Sequence, residues 1–170
     1  MKILNTIILV IVTTTTLSAQ QNGAFSKGDK LLNFGVGINS AYSGGIPLGA
    51  SYEQGIAESI SVGVNADYLS NDYLSFKFTA IYAGVRASYH VNNLLNLKSE
   101  KIDLYGGPTL GYRSFSWKDN GIDFGDDYGS GIYLGAYVGG KYYFSNKLGV
   151  FAEFGEIGST NARAGLAIKF

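Results

Sequence analysis

The chain has no cysteine, two prolines and one histidine among its 170 residues, and its acidic and basic side chains balance at thirteen each. Without cysteine it forms no disulfide, offers no thiolate to a metal and cannot be a lipoprotein anchored through a lipid-bearing cysteine. Without net charge there is no electrostatic case for binding nucleic acid. Long apolar runs are also missing. The longest, Ile3–Val12, is about ten residues, well short of the roughly 20 that a membrane-spanning helix needs.

That run has the layout of an export leader instead. Lys2 supplies a positive start, Thr13–Gln20 is small and polar, and Leu17-Ser18-Ala19 places a small residue before a cut near Ala19 or Gln20. The layout predicts a cleaved signal peptide over residues 1–20, a short segment over 21–30 and a single domain over 31–170. Loss of Lys2 leaves twelve basic against thirteen acidic side chains.

What is abundant is glycine and aromatic: 24 Gly, 13 Tyr and 10 Phe argue against helices and for many short strands. No window beyond the leader repeats with a helical period. Period-two alternation recurs in eight segments. Leu32, Phe34, Val36 and Ile38 share one face of the first, and Leu48, Ala50 and Tyr52 one face of the second. Ile60 to Tyr68, Ile81 to Tyr89, Leu104 to Tyr112, Ile132 to Phe144, Leu148 to Phe154 and Ala162 to Phe170 continue the pattern. Most segments have about nine to eleven residues, the length a tilted strand needs to cross a bilayer. The expectation is all-β: an eight-stranded antiparallel up-and-down transmembrane β-barrel.

Charge decides which face is inside. The apolar face is almost uncharged, whereas the other carries Glu53, Asp67, Arg86, Asp103, Arg113, Lys141, Glu153, Arg163 and Lys169. A soluble barrel would bury the apolar face and expose the charge. On a lipid face near mid-membrane each Arg or Lys costs roughly 2–4 kcal/mol, whereas acids and bases facing a lumen can neutralise one another. Most glycines also fall on the polar face, leaving room for Tyr105, Tyr133, Tyr137, Tyr143 and Arg86 inside. Glu153 and Arg163 lie nearly equidistant from the last loop and are expected to pair. The lumen network, read as structural, comprises these charged residues and His90.

Aromatics on the apolar face sort to the strand ends, as interfacial belts do. Tyr52, Tyr89, Tyr142, Phe144 and Phe170 are expected at the periplasmic rim and Tyr68 and Tyr112 at the outer rim, with Phe76, Phe115 and Trp117 just beyond. Outer loops near Ala41 to Gly45, Ser70 to Leu74 and Glu156 to Thr160 are expected to be short. The longest, 118–127, carries four Asp and is the place for an extracellular partner, although its spacing departs from a calcium loop.

The strand Arg163–Phe170 ends on an aromatic after alternating residues, with Gly165, Ile168 and Phe170 at the positions of the C-terminal assembly signal of outer-membrane barrels. Together with Tyr82–His90, Leu104–Gly107 and Phe151–Gly155, it makes residues 31–170 resemble the outer-membrane β-barrel domain family common in Bacteroidetes-type bacteria, of OmpA- and OmpX-like architecture. That resemblance implies an outer-membrane protein, with membrane lipid and the barrel-assembly machinery as partners. It implies function poorly. A structural or interaction barrel without catalysis, cofactor or metal is expected; a narrow channel for small solutes or a small lipid-modifying enzyme are the alternatives. Ser88 and His90 share the inward face, yet they reverse the order of known deacylating barrels, so His90 is read as structural.

Overall fold

The computed structural model describes residues 23–40, 44–73, 76–118 and 129–170. The predicted leader and all of the acidic loop except Lys118 lie outside the described residues. Eight strands pair antiparallel in chain order and close on themselves. They are β1 (Lys30–Ser40), β2 (Leu48–Ala57), β3 (Ile60–Tyr73), β4 (Phe76–His90), β5 (Ile102–Lys118), β6 (Gly131–Tyr143), β7 (Leu148–Gly155) and β8 (Thr160–Lys169).

Closure follows from the two ends of the domain. β8 pairs with β7 through Val150↔Leu166 and Glu153↔Arg163, and with β1 through Phe34↔Leu166 and Leu32↔Ile168. The seam continues past the strands, with the Phe170 amide donating to the Lys30 carbonyl at 2.9 Å. Each of the eight described strands has a paired neighbour on both sides, the condition for backbone to cross a hydrocarbon layer. Alternation then sorts the side chains. Phe34, Val64, Val85, Leu110, Leu134, Val150 and Leu166 stand exposed on the outside, while Asn33, Ser51, Asn65, Ser88 and Thr109 are buried within. This is the polarity of a membrane barrel, with grease outside and polar groups inside.

Three strands outrun the length read from alternation: β3 to β5 have 14, 15 and 17 residues. The segment Ser70–Leu74, expected as a loop, is mostly strand, because β3 and β4 stay paired from Ile60↔Tyr89 up to Tyr73↔Phe76. The cause is a change of the inward face. Near the outer end apolar packing replaces polar groups: Leu69, Phe78, Ala80 and Tyr82 are buried together, with Phe115 and Tyr133 against them. Apolar residues on both faces erase the polar/apolar alternation. Phe115 therefore turns inward, where it stacks on Phe78 at 5.5 Å, and does not extend the outer aromatic belt. Tyr89, Tyr142, Phe144 and Phe170 at one rim and Tyr68 and Tyr112 toward the other are exposed on the outer surface.

An eight-stranded barrel is just wide enough for side chains to fill. Glycine sets where the large ones fit. A Cβ on Gly139 would stand 2.9 Å from the Tyr105 ring and from the Glu153 side chain, and one on Gly49 would overlap the Asp67 carboxylate and the Arg163 guanidinium. Both mouths are covered. At the end where the chain terminus lies, Ala24 and Phe25 from the segment before β1 are buried. At the other end the β7–β8 connection dips inward, burying Ile157, Ser159 and Thr160 beside Tyr105 and Tyr137. Gly155 and Gly158 make that dip, at φ of 132° and 101°, a backbone region that disfavours side chains.

Gly139→Val should destabilise the barrel by about 1–3 kcal/mol through overpacking against Tyr105. Gly131, which has nothing near its Cβ position, should accept the same change within about 0.5 kcal/mol. Urea unfolding of the refolded protein, followed by the gel shift between folded and heat-denatured bands, reads both.

Candidate functional site

The lumen holds three stacked ionic groups. Their placement follows from strand parity: inward positions are odd on β3 and β5 and even on β4, so β3 delivers Ser61, Asn65 and Asp67 and β4 delivers Arg86, Ser88 and His90 to the axis.

The middle group centres on Arg86. Its Nε lies 3.1 Å from Glu53 Oε1 and its Nη2 2.6 Å from Glu153 Oε1, with all three side chains buried. The guanidinium plane lies 3.9 Å from the centre of the Tyr137 ring, and Arg86 Nε donates to the Tyr137 hydroxyl at 3.0 Å. Glu153 also accepts from Tyr105 at 3.0 Å. The second oxygen of Glu53 accepts from Ser61 at 2.7 Å and from Ser88 at 2.5 Å. One buried cation thus faces two buried carboxylates whose remaining lone pairs are met by hydroxyls, the condition under which buried charge is tolerated.

Toward the outer mouth, Arg163 is ion-paired with Asp67 and donates to the Ile157 carbonyl at 3.0 Å, holding the inward-folded connection. This corrects the expected Glu153–Arg163 pair. The two are register partners on β7 and β8, but Glu153 is already bound by Arg86, and Asp67 lies across the lumen with Arg163 as its cation. Register fixes which backbones are opposite; the charge left over fixes where a long side chain reaches.

At the inner mouth, His90 Nδ1 lies 2.7 Å from Asp103 Oδ1 and His90 Nε2 3.0 Å from Ser61 Oγ. Asp103 Oδ2 is 3.7 Å from Lys141 Nζ, which sits over the Tyr105 ring. Phe25 covers the imidazole, ring on ring at 3.4 Å and 2°. Ser61, His90 and Asp103 have the spacing of a nucleophilic triad. Three observations argue against that use. The one hydroxyl proton of Ser61 is taken by Glu53, Phe25 seals the imidazole face, and Ser61 and Asp103 are fully buried, out of reach of solvent. From the sequence, Ser88 and His90 share one inward face and His90 is structural; its hydrogen-bond partners, Ser61 and Asp103, come from other strands and carry no local signal.

The other charged residues predicted for the lumen lie at its rims. Arg113 is half-buried and donates from Nε to the Gly129 carbonyl at 3.0 Å. Lys169 donates to the Ala24 carbonyl at 2.9 Å and lies 3.9 Å from Asp29. Burial lifts the Asp29 carboxyl above the usual carboxylate range, against the opposing pull of Lys169. Gly165 lies against Gly35 at the seam, where a Cβ would strike the neighbouring backbone, and Ile168 and Phe170 lie on the outer face. Among the described residues no group of His, Asp and Glu is placed to hold a metal ion.

No protein-family model and no curated protein matches the chain in sequence. Solved structures are similar in fold. The outer membrane protein OprG from Pseudomonas aeruginosa matches with a TM-score of 0.56 at 11% identity, over 89% of this chain and 99% of that one. Neisserial surface protein A matches at 0.54 and 20% identity, over 84% and 95% of the two chains. The N-terminal β-barrel domain of Pseudomonas aeruginosa OprF matches at 0.53 and 16%, over 85% and 98%. The likeness is one of fold: the chain is a closed, eight-stranded, antiparallel up-and-down barrel, the fold of these small outer-membrane barrels.

Arg86→Met strands two carboxylates without a cation and should cost about 3–5 kcal/mol in urea unfolding. In double-mutant cycles Arg163 should couple to Asp67 more strongly than to Glu153. Equal coupling would restore the neighbouring-strand pair.

Proposed function

We propose that the chain is an integral outer-membrane protein with a structural or interaction role, exported through a cleaved leader and without catalytic activity. The observation that carries this reading is the sealed, neutralised lumen inside an apolar exterior. Arg86, Glu53 and Glu153 fill the middle of the barrel, Phe25 covers one mouth and Ile157 the other. A barrel so filled offers solutes no open path, and a role confined to its surface remains. The exterior suits membrane lipid. The β8 strand, with Gly165, Ile168 and Phe170, is the segment proposed to engage the assembly machinery, and the loop at 118–127 is the region proposed to meet an extracellular partner.

The Ser61–His90–Asp103 alignment is the one observation that favours a hydrolase. It is read here as part of the network that neutralises the inner mouth, because its serine hydroxyl serves Glu53.

Three measurements test the reading. The protein should fractionate with outer membranes and migrate as a compact, heat-shifted band on gels. In planar bilayers it should show no steady conductance; an open, ion-selective level would establish the channel alternative. A fluorophosphonate probe should leave Ser61 unlabelled, and labelling that disappears in Ser61→Ala and His90→Ala, both folded by the heat-shift criterion, would establish the enzyme.

A further inference from the structure

The inner-mouth connections are short, with one exception. β2 and β3 are joined through Glu58 and Ser59, and β6 and β7 through Phe144–Lys147, whereas β4 and β5 are joined by residues 91–101. This longer connection is built rather than loose. It makes one helical turn, with the Leu95 amide donating to the Val91 carbonyl at 2.9 Å and the Leu97 amide to the Asn92 carbonyl at 2.8 Å. Asn92 clamps its base, donating to the Ile102 carbonyl at 2.6 Å and accepting from the Leu104 amide at 2.8 Å. Ser99 accepts from the Lys101 and Ile102 amides, and its carbonyl accepts from Ala24 under the barrel mouth. The result holds two leucines in water: Leu94 is 72% and Leu95 59% exposed.

Ordering a loop costs conformational entropy, and here the ordered loop displays apolar surface instead of burying it. That surface is continuous in sequence and pairing with the lipid-facing rim. Tyr89 and Ile102, exposed at the two strand ends that frame the loop, begin the belt. Asn93 donates to Ser59 at 3.4 Å, tying the loop to the β2–β3 hairpin, whose Ile56 and Ile60 are also exposed. Lys98 and Lys101 follow on the same connection, with Glu100 between them, so that it keeps one net positive charge. Apolar side chains flanked by aromatics and ammonium groups at a membrane edge match the boundary between acyl chains and phosphate headgroups.

We infer that the Val91–Lys101 connection is a lipid-binding foot, which sets Leu94 and Leu95 into the inner-leaflet headgroup boundary beside β2 to β5. Its occupant is phosphate-bearing membrane lipid. The inference rests on the reading of the chain as a membrane barrel, and the test separates the two.

The chain has no native cysteine, so single thiols label cleanly. Leu94→Cys, Leu95→Cys, Asn146→Cys in the short β6–β7 turn and Val85→Cys on the mid-barrel exterior are each labelled with bimane. They are refolded into phosphatidylcholine–phosphatidylglycerol vesicles and scored only as the heat-shifted folded species. Lipid carrying a nitroxide high on its acyl chain should remove about half or more of the emission at 94 and 95, as expected for side chains at the headgroup boundary. Aqueous iodide should quench Asn146→Cys and spare them. If Val85→Cys is quenched by lipid while 94 and 95 respond only to iodide, the foot is refuted and the membrane barrel stands. If lipid nitroxide fails to reach Val85→Cys as well, the membrane reading falls and the foot with it.

Discussion

One constraint organises this molecule: a sheet that crosses hydrocarbon cannot have an edge. The β1–β8 seam meets it, and closure creates a narrow interior that must be filled with something. The outward face is settled by the solvent that lipid provides, so nearly all polar chemistry moves inside. There it is confined to a bore just wide enough for side chains to fill, and every charge needs a counter-charge within reach. Glycine-for-bulk exchange, the shared Arg86 and the folded-in mouths are successive answers to that one demand.

The lumen meets the demand by dividing its charge into groups along the axis. Asp103, His90 and Lys141 lie at one mouth, Glu53, Arg86 and Glu153 in the middle, and Asp67 and Arg163 toward the other end. Hydroxyls of Ser61 and Ser88 satisfy the Glu53 oxygen that Arg86 does not reach, and Tyr105 adds a second donor to the Glu153 oxygen that Arg86 holds. Such a network resembles catalytic machinery locally, because triads and structural networks use the same hydrogen bonds. What separates them here is access: the serine is committed to a carboxylate, and Phe25 lies over the imidazole.

Much of the fold was legible in the sequence because period two is a local property. Each strand carries its own alternation, so facing, strand number and order could be read without knowing partners. Legibility failed where the pattern depends on distant residues. Leu69, Phe78 and Ala80 are apolar on the inward face, since they pack on one another, and their stretch of β3–β4 lost its alternation. Phe25 stands in a segment with no periodicity, so nothing local marked it as a cover for His90. The Asp67–Arg163 pair joins strands far apart in sequence, and only the assembled lumen decides it over the Glu153 next door. Candidate site residues were therefore visible as a set, while their partnerships were not.

Those partnerships have a consequence for how the barrel enters a membrane. Arg86 on β4 is matched by Glu53 on β2 and Glu153 on β7, and Arg163 on β8 by Asp67 on β3. The bonds are struts across the bore rather than links between adjoining staves. A lone β3–β4 hairpin, with Asp67 parted from Arg163 and Arg86 from both glutamates, would present bare charge to the bilayer, at a cost of several kcal/mol per group. Early and late strands thus become soluble in lipid only in each other's company. Insertion has the character of a lock whose first and last pins must align together, and a partly built barrel is turned away by its own electrostatics.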